Sequence, residues 1–345
     1  MKVAKLYDYL DVRIEDHPVP VPGPGEALVR ARACGICSGD VVPWYIRKKA
    51  PLVFGHEPVG EIAAVGDDSV RLAPGTRVFV HHHAPCLDCR ACRRGEFVQC
   101  PTWRASQIVP GGMSEYFLVP AVNLAHDTLA IPEHVGDADA ALTEPAACVV
   151  KSLDRAGRTA DSSILIIGLG VMGLLHVVLA RHRGARQIIA ADLVATRCER
   201  ARALGADVVI DASQHDLAAT VSDVTDGEGA EIVIAGPATT EAIEIGIRCA
   251  AKGGTVIQFM GTPPGTTLAI STNELYFREI RLIPSYSCGP VETREALRLI
   301  ADGVIQASQV VTHRFALKEA ARAYEVAATD RSAIKTIVTF PVGGE

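Results

Sequence analysis

Apolar and polar positions change rhythm twice along this chain. Up to about residue 145 the apolar residues come in short runs, "EALVRARA", "GEIAAVG", "TRVFVHHH" and "SEYFLVP", set apart by Gly, Pro and other turn residues. That pattern predicts a mostly β unit. From about 146 to 285, buried-type strands alternate with alanine-rich stretches of helical period. The expected strands are Ser163–Ile167, Gln187–Ala191, Asp207–Ile210, Glu231–Ala235, Thr255–Met260 and Ile280–Ser285, with helices such as Ala195–Leu204 and Thr240–Ala251 between them. Six strands in that alternation predict an α/β unit with a doubly wound parallel sheet. The last stretch, 286–345, carries helix-like runs at Thr293–Asp302 and Leu317–Ala328 and a closing strand, Ile334–Phe340.

The 345 residues suggest about two domains. With 40 acidic and 34 basic residues and no basic stripe, nucleic acid is not an expected partner. The longest apolar run, Ile164–Ala180, is broken by glycines and holds His176. It falls short of the about 20 residues a membrane helix needs, so no membrane span is expected. No charged-then-apolar leader opens the chain, and a cytoplasmic setting is the expectation. Four of the ten cysteines crowd into Cys86–Cys100, which points to metal rather than to disulfides.

Chemistry enters at three places. "ILIIGLGVMG" sets Gly168, Gly170 and Gly173 in a G-x-G-x-x-G straight after a strand, with Val171 and Met172 opening the next helix. Such a turn lets a pyrophosphate approach the backbone and meet a helix N-terminus, although a glycine turn in an ordinary α/β domain reads the same. Asp192 ends the second strand about 20 residues on, where a carboxylate would grip a ribose 2′-OH and repel a 2′-phosphate. This favours NAD over NADP, and Arg197 is either a solvated helix residue or lies beside the adenine ribose. "CLDCRACRRGEFVQC" gives Cys86, Cys89, Cys92 and Cys100, a thiolate quartet suited to a closed structural zinc; an iron–sulfur cluster takes the same donors. The third set is dispersed: Cys37 in "GICSGD", His56 and Glu57 in "FGHEPVG", and Glu144 in "LTEPAACVV". A thiolate, an imidazole and a carboxylate suit zinc with a position left open. Taken singly, each reads as a buried small residue, a turn histidine or a helix start.

The spacing GHE-x2-G-x5-G, the four-cysteine lobe, the glycine fingerprint and their order resemble the zinc-dependent medium-chain dehydrogenases over the whole chain. "ADLVATRCERARALGAD", "TEPAACVV" and "VVTHRFALKEAARAYE" are similar to the sorbitol and threonine dehydrogenase branch. The resemblance implies a GroES-like, mostly β catalytic domain from residues 1–146 and 286–345, with a Rossmann domain, 147–285, inserted. It implies two zinc ions per subunit, one catalytic and one structural, and NAD. The substrate would be a small polar alcohol or its ketone (a polyol, sugar alcohol or amino alcohol), and the protein a homo-oligomer, tetramer or dimer. Carried over by motif, Cys37 and His56 are zinc ligands, Glu57 and Glu144 share the remaining carboxylate role in an order left open, and Asp40 orients the histidine ring. Ser285 and Tyr286, with Ser287, follow the last Rossmann strand near the nicotinamide, and Tyr286 reads equally as a core aromatic. Trp44 and Tyr45 follow the Cys37 turn.

One position departs from the family. A Ser or Thr two residues after the ligand cysteine starts the proton relay in relatives, and here that position is Gly39, with Val42 where many relatives carry a relay histidine. Three readings follow. Ser38 turns inward; another group takes the proton; or the chain is a zinc-stabilised NAD-binding protein with little turnover. For the second, His81, His82 and His83 are expected to end a strand, 81 and 83 sharing a face. His83 is the expected proton acceptor. Zinc-free enone reduction, as in quinone reductases of the same superfamily, is disfavoured by the metal donor set.

Overall fold

The computed structural model describes residues 1–341. The chain divides into two compact units, Met1–Ala147 with Cys288–Glu345, and Cys148–Ser287.

The main sheet of the first unit runs Val311–Ala316, Lys335–Thr339, Ala27–Gly35, Glu57–Val65, Arg77–Val80, Thr128–Ala130, with Tyr116–Val119 also on Ala27–Gly35. Only the Val311–Ala316 and Lys335–Thr339 pair is parallel. A small antiparallel sheet, Lys2–Asp8 with Asp11–Asp16 and Leu52–Val53, lies beside it. Leu6, Val29, Ile62 and Phe117 face inward from their strands, where alternate residues point to the core, into one buried apolar cluster that also holds Tyr324 of the helix Ala320–Thr329. Register matters most at Gly35, which stands opposite Glu57 on one side and Ile337 on the other. The turn after Gly35 therefore leaves from the centre of the sheet.

The second unit holds a six-stranded parallel sheet: Ser163–Ile167, Gln187–Asp192, Val208–Asp211, Ala230–Ala235, Ala250–Gln258 and Arg281–Pro284. Numbered in chain order they lie 3-2-1-4-5-6, the doubly wound arrangement. Every residue of Ser163–Ile167 is buried, as a central strand covered on both faces requires. One expectation is corrected here. The helix read as Thr240–Ala251 stops at Cys249, and Ala250 already belongs to the next strand. Alanine favours helix locally, but pairing of Ala250 with Ala230 overrides it.

Candidate active site

Cys37 leaves the central strand Ala27–Gly35 and opens a short 3-10 turn, Ser38–Val41. His56 directly precedes the neighbouring strand Glu57–Val65, and Gly35 pairs with Glu57. Sheet register thus brings a thiol, an imidazole and a carboxylate together, their donor atoms within 4.8 Å of one another. His56 Nδ1 lies 3.2 Å from Asp40 Oδ2, which leaves Nε2 as the ring's ligand atom. The Tyr324 hydroxyl donates to the Asp40 carbonyl at 2.6 Å and anchors that turn. Burial alone would push the His56 pKa down; Asp40 and Cys37 outweigh it and hold the ring well above its ordinary value. The pocket thus favours positive charge, and its donor set fits a zinc ion with one position open.

Glu57 is wholly buried and ion-paired with Lys335, whose Nζ also donates to the Ile36 carbonyl at 3.0 Å. Burial raises the Glu57 pKa, Lys335 opposes the rise and Glu144 adds to it. Gly35 makes room for this pair: a Cβ there would strike the Glu57 carboxylate and come within 2.8 Å of Lys335 Cε. Glu144 sits in the first turn of the helix Thr143–Ala156. Its carboxylate lies within 4.8 Å of the donor atoms of His81 and Cys288, and it also acts electrostatically on Glu57 and Lys335.

In the four-cysteine lobe all sulfurs lie within 4.8 Å of one another. Cys89 and Cys92 are 3.6 Å apart, as are Cys86 and Cys100. That is close to the about 3.8 Å edge of a zinc–thiolate tetrahedron, and no pair is a disulfide. The Cys86 and Cys89 amides point at sulfurs at 3.4 and 3.3 Å, which stabilises thiolates.

In the second unit, Gly170 caps the helix Val171–His182. A Cβ at Gly170 would meet nothing within 4 Å, whereas one at Gly173 would collide with the Gly168 carbonyl. Open space at a helix N-terminus beside a forced close approach fits a bound pyrophosphate. Asp192 closes the turn, accepting from Leu169 N–H at 2.6 Å and Val194 N–H at 2.9 Å. Arg197 lies in the first turn of the helix Ala195–Ala203. Ser285 is buried, its N–H donating to the Gln258 carbonyl at 3.0 Å. Tyr286 is 55% exposed, which corrects the core-aromatic reading of that residue.

Comparison with known proteins agrees with this construction. Residues 23–132 match the alcohol dehydrogenase GroES-like domain family, and residues 171–302 the zinc-binding dehydrogenase family. The L-threonine 3-dehydrogenase of Pyrococcus horikoshii is 31% identical over 305 residues, 86% of each chain. The sorbitol dehydrogenase of Gallus gallus is 31% identical over 327 residues, 91% of this chain and 90% of its own. This chain belongs to the zinc-dependent medium-chain dehydrogenases, in the polyol and threonine dehydrogenase branch. A zinc-binding dehydrogenase structure from Sinorhizobium meliloti, bound to NADP, matches with a TM-score of 0.87 at 29% identity, covering 98% of both chains.

Around the departure from its family, this dehydrogenase differs from the sequence-based picture. Ser38 is exposed, so the reading in which it turns inward has no geometry behind it. The histidine triplet does not continue a strand. The strand ends at Val80, and the His81 N–H goes to the Asp127 carbonyl at 3.1 Å. His81 is wholly buried against Asp127, its Nδ1 2.6 Å from the carboxylate. The His82 ring lies 4.8 Å from that of His56 and 4.1 Å from that of His83. His83 donates from Nδ1 to the Ser106 carbonyl and packs on Trp103 at 4.3 Å. Lys335, Asp127 and Cys288 were not singled out from the sequence. Only Lys335 carried a signal there, as a lone lysine opening the apolar strand "KTIVTF".

Proposed function

We propose that this dehydrogenase oxidises a secondary alcohol of a polyol, sugar alcohol or amino alcohol to the ketone, and runs the reverse, with NAD and a catalytic zinc at Cys37, His56 and Glu57. A second, structural zinc would sit in the cysteine quartet. The observation that carries the reading is the convergence of Cys37, His56 and Glu57 donor atoms within 4.8 Å in a chain that also holds the dinucleotide turn. Bound there, zinc supplies Lewis-acid polarisation of the substrate oxygen and NAD accepts the hydride.

The chain's own residues do the rest. Asp40 fixes the His56 ring, and Lys335 offsets the buried Glu57 charge. His83, its Nδ1 engaged by Ser106, presents Nε2 as an acceptor for the substrate proton. Burial brings its pKa down to about 4, so the ring is neutral at pH 7 with its Nε2 lone pair free of a proton. Gly168, Gly170 and Gly173 admit the pyrophosphate to the N-terminal amides of Val171 and Met172. Asp192 takes the ribose 2′-OH and disfavours a 2′-phosphate, Arg197 stands beside the adenine ribose, and Ser285 and Tyr286 border the nicotinamide.

A homo-oligomer, tetramer or dimer, fits the surface. Tyr276 and Phe277 stand 76% and 74% exposed just before Arg281–Pro284, the edge strand of the six-stranded sheet. Exposed aromatics beside an open sheet edge are what a second copy would cover. The cysteine quartet, suited to metal rather than to disulfides, supports a reducing, cytoplasmic setting, and no helix among the described residues is long and apolar enough to cross a membrane.

The test is NADH formation over a panel of polyols, sugars and amino alcohols, before and after chelation. Turnover lost on chelation and regained with zinc is expected. Turnover indifferent to chelation, or none across the panel with zinc present, would overturn the reading.

A further inference from the structure

Three residues outside the proposed catalytic ligand set form a second buried donor cluster. Cys288, His81 and Glu144 are all buried, and their ligand atoms lie within 4.8 Å of one another. Cys288 Sγ is 3.8 Å from His81 Nε2. A sulfur and a nitrogen sharing a tetrahedral zinc stand about 3.5 Å apart, so the pair needs only a few tenths of an ångström of adjustment to hold one ion.

The imidazole is already oriented for a metal. Asp127 Oδ2 lies 2.6 Å from His81 Nδ1, which directs Nε2 at Cys288. Asp127 is itself braced by the Thr293 hydroxyl at 2.5 Å, and the His81 carbonyl accepts from Asn123 Nδ2 at 3.0 Å. A carboxylate on the far nitrogen of a histidine fixes its tautomer and raises its basicity as a ligand. The same bracing by Asp40 is seen at His56. Charge points the same way. Asp127 and Glu144, the two carboxylates that meet His81 or Cys288 here, are each at most 5% exposed. Buried carboxylates are stabilised by a cation beside them.

We infer that Cys288, His81 and Glu144 form a further divalent-cation site, zinc by its thiolate, imidazole and carboxylate donors, distinct from the Cys37 set and from the cysteine quartet. It goes beyond the proposed activity, because it needs only these three side chains and their bracing, whatever substrate is turned over.

The intact protein is crystallised after dialysis against zinc, and anomalous diffraction is recorded at the zinc absorption edge. A peak inside the Cys288, His81 and Glu144 triangle is expected. In parallel, zinc is counted per subunit in the wild type and in Cys288→Ser, which keeps a hydrogen-bonding side chain of similar size beside His81. The variant should hold one zinc fewer and keep its other ions. No anomalous peak in the triangle, or equal zinc content in the two proteins, overturns the site. The anomalous map on the wild type decides the matter even if the variant does not fold. An absent Cys37 ion with a filled triangle would sink the catalytic reading alone.

Discussion

Lys335 Nζ meets the Glu57 carboxylate where both side chains are shut off from water, 1% and 0% exposed. Burial opposes the lysine's charge, yet Glu57 and Cys37 outweigh it and hold its pKa above the ordinary value. The pair is intact only while both partners are charged. Removing one partner of a buried pair costs about 3–5 kcal/mol, because the other charge stays behind uncompensated. Lys335→Met should therefore lower the unfolding midpoint of the metal-free protein by several degrees, and zinc should restore part of the loss by neutralising Glu57. Calorimetry with and without zinc checks this, and equal losses in both forms would mean that Glu57 does not face the ion.

Gly39 has no need of glycine. Its φ is not left-handed, and a Cβ there would meet only Cys37 Sγ, at an ordinary 3.6 Å. Gly39→Ser should fold like the wild type and turn over between unchanged and about tenfold faster, since a positioned hydroxyl restores a proton path. Steady-state kinetics on the best substrate of the panel decides. A large loss would show that the turn needs glycine's backbone freedom.

Asp192 is the expected arbiter of the coenzyme. Replacing it with serine removes the charge that would confront a 2′-phosphate, so Asp192→Ser should shift the ratio of kcat/KM for NAD over NADP by at least about tenfold towards NADP. Part of its loss will be felt by the glycine turn, because Asp192 also accepts from Leu169 and Val194 N–H. The ratio, rather than either rate alone, is the quantity to read.

His176 makes an acid-side prediction. It is buried in the helix Val171–His182, bonded to the Met172 carbonyl at 2.8 Å and to Ser152 Oγ at 2.5 Å. Burial, with a smaller push from Arg183, brings its pKa down to about 4 against the Met172 hydrogen bond. The unfolded chain thus binds a proton near pH 6.5 that the folded chain refuses until about 4. Stability is full above that window and falls as the pH drops through it, by roughly 3 kcal/mol at about 1.4 kcal/mol per unit. His83, lowered by burial to about 4, adds to the same slope. Urea unfolding between pH 7 and 4.5 should show the decline, and His176→Gln should flatten it.

What could be read from the sequence follows from how far apart the partners are. Ser163–Ile167 is legible because a strand buried on both faces must be apolar throughout. The glycine turn and the cysteine quartet are legible because their residues are neighbours in the chain. The strand that seemed to run on through His83 stops at Val80 because the His81 amide is claimed by Asp127, 46 residues away. Cys288 meets His81 across 207 residues, and Lys335 reaches Ile36 across 299. No local periodicity encodes such meetings; sheet register does.

The lobe around Cys86, Cys89, Cys92 and Cys100 has almost no oil of its own: Val98 and Trp103, with Phe97 at the edge, are all that gather about the sulfurs. Arg90, Arg93, Arg94 and Arg104 are exposed on its outside. With the ion in place these arginines ride on a knot too tight to enter a protease cleft. Strip the ion and the knot becomes a slack strap studded with trypsin sites, so a brief digestion should cut here first and leave a gel reporter of whether the subunit carries its structural metal.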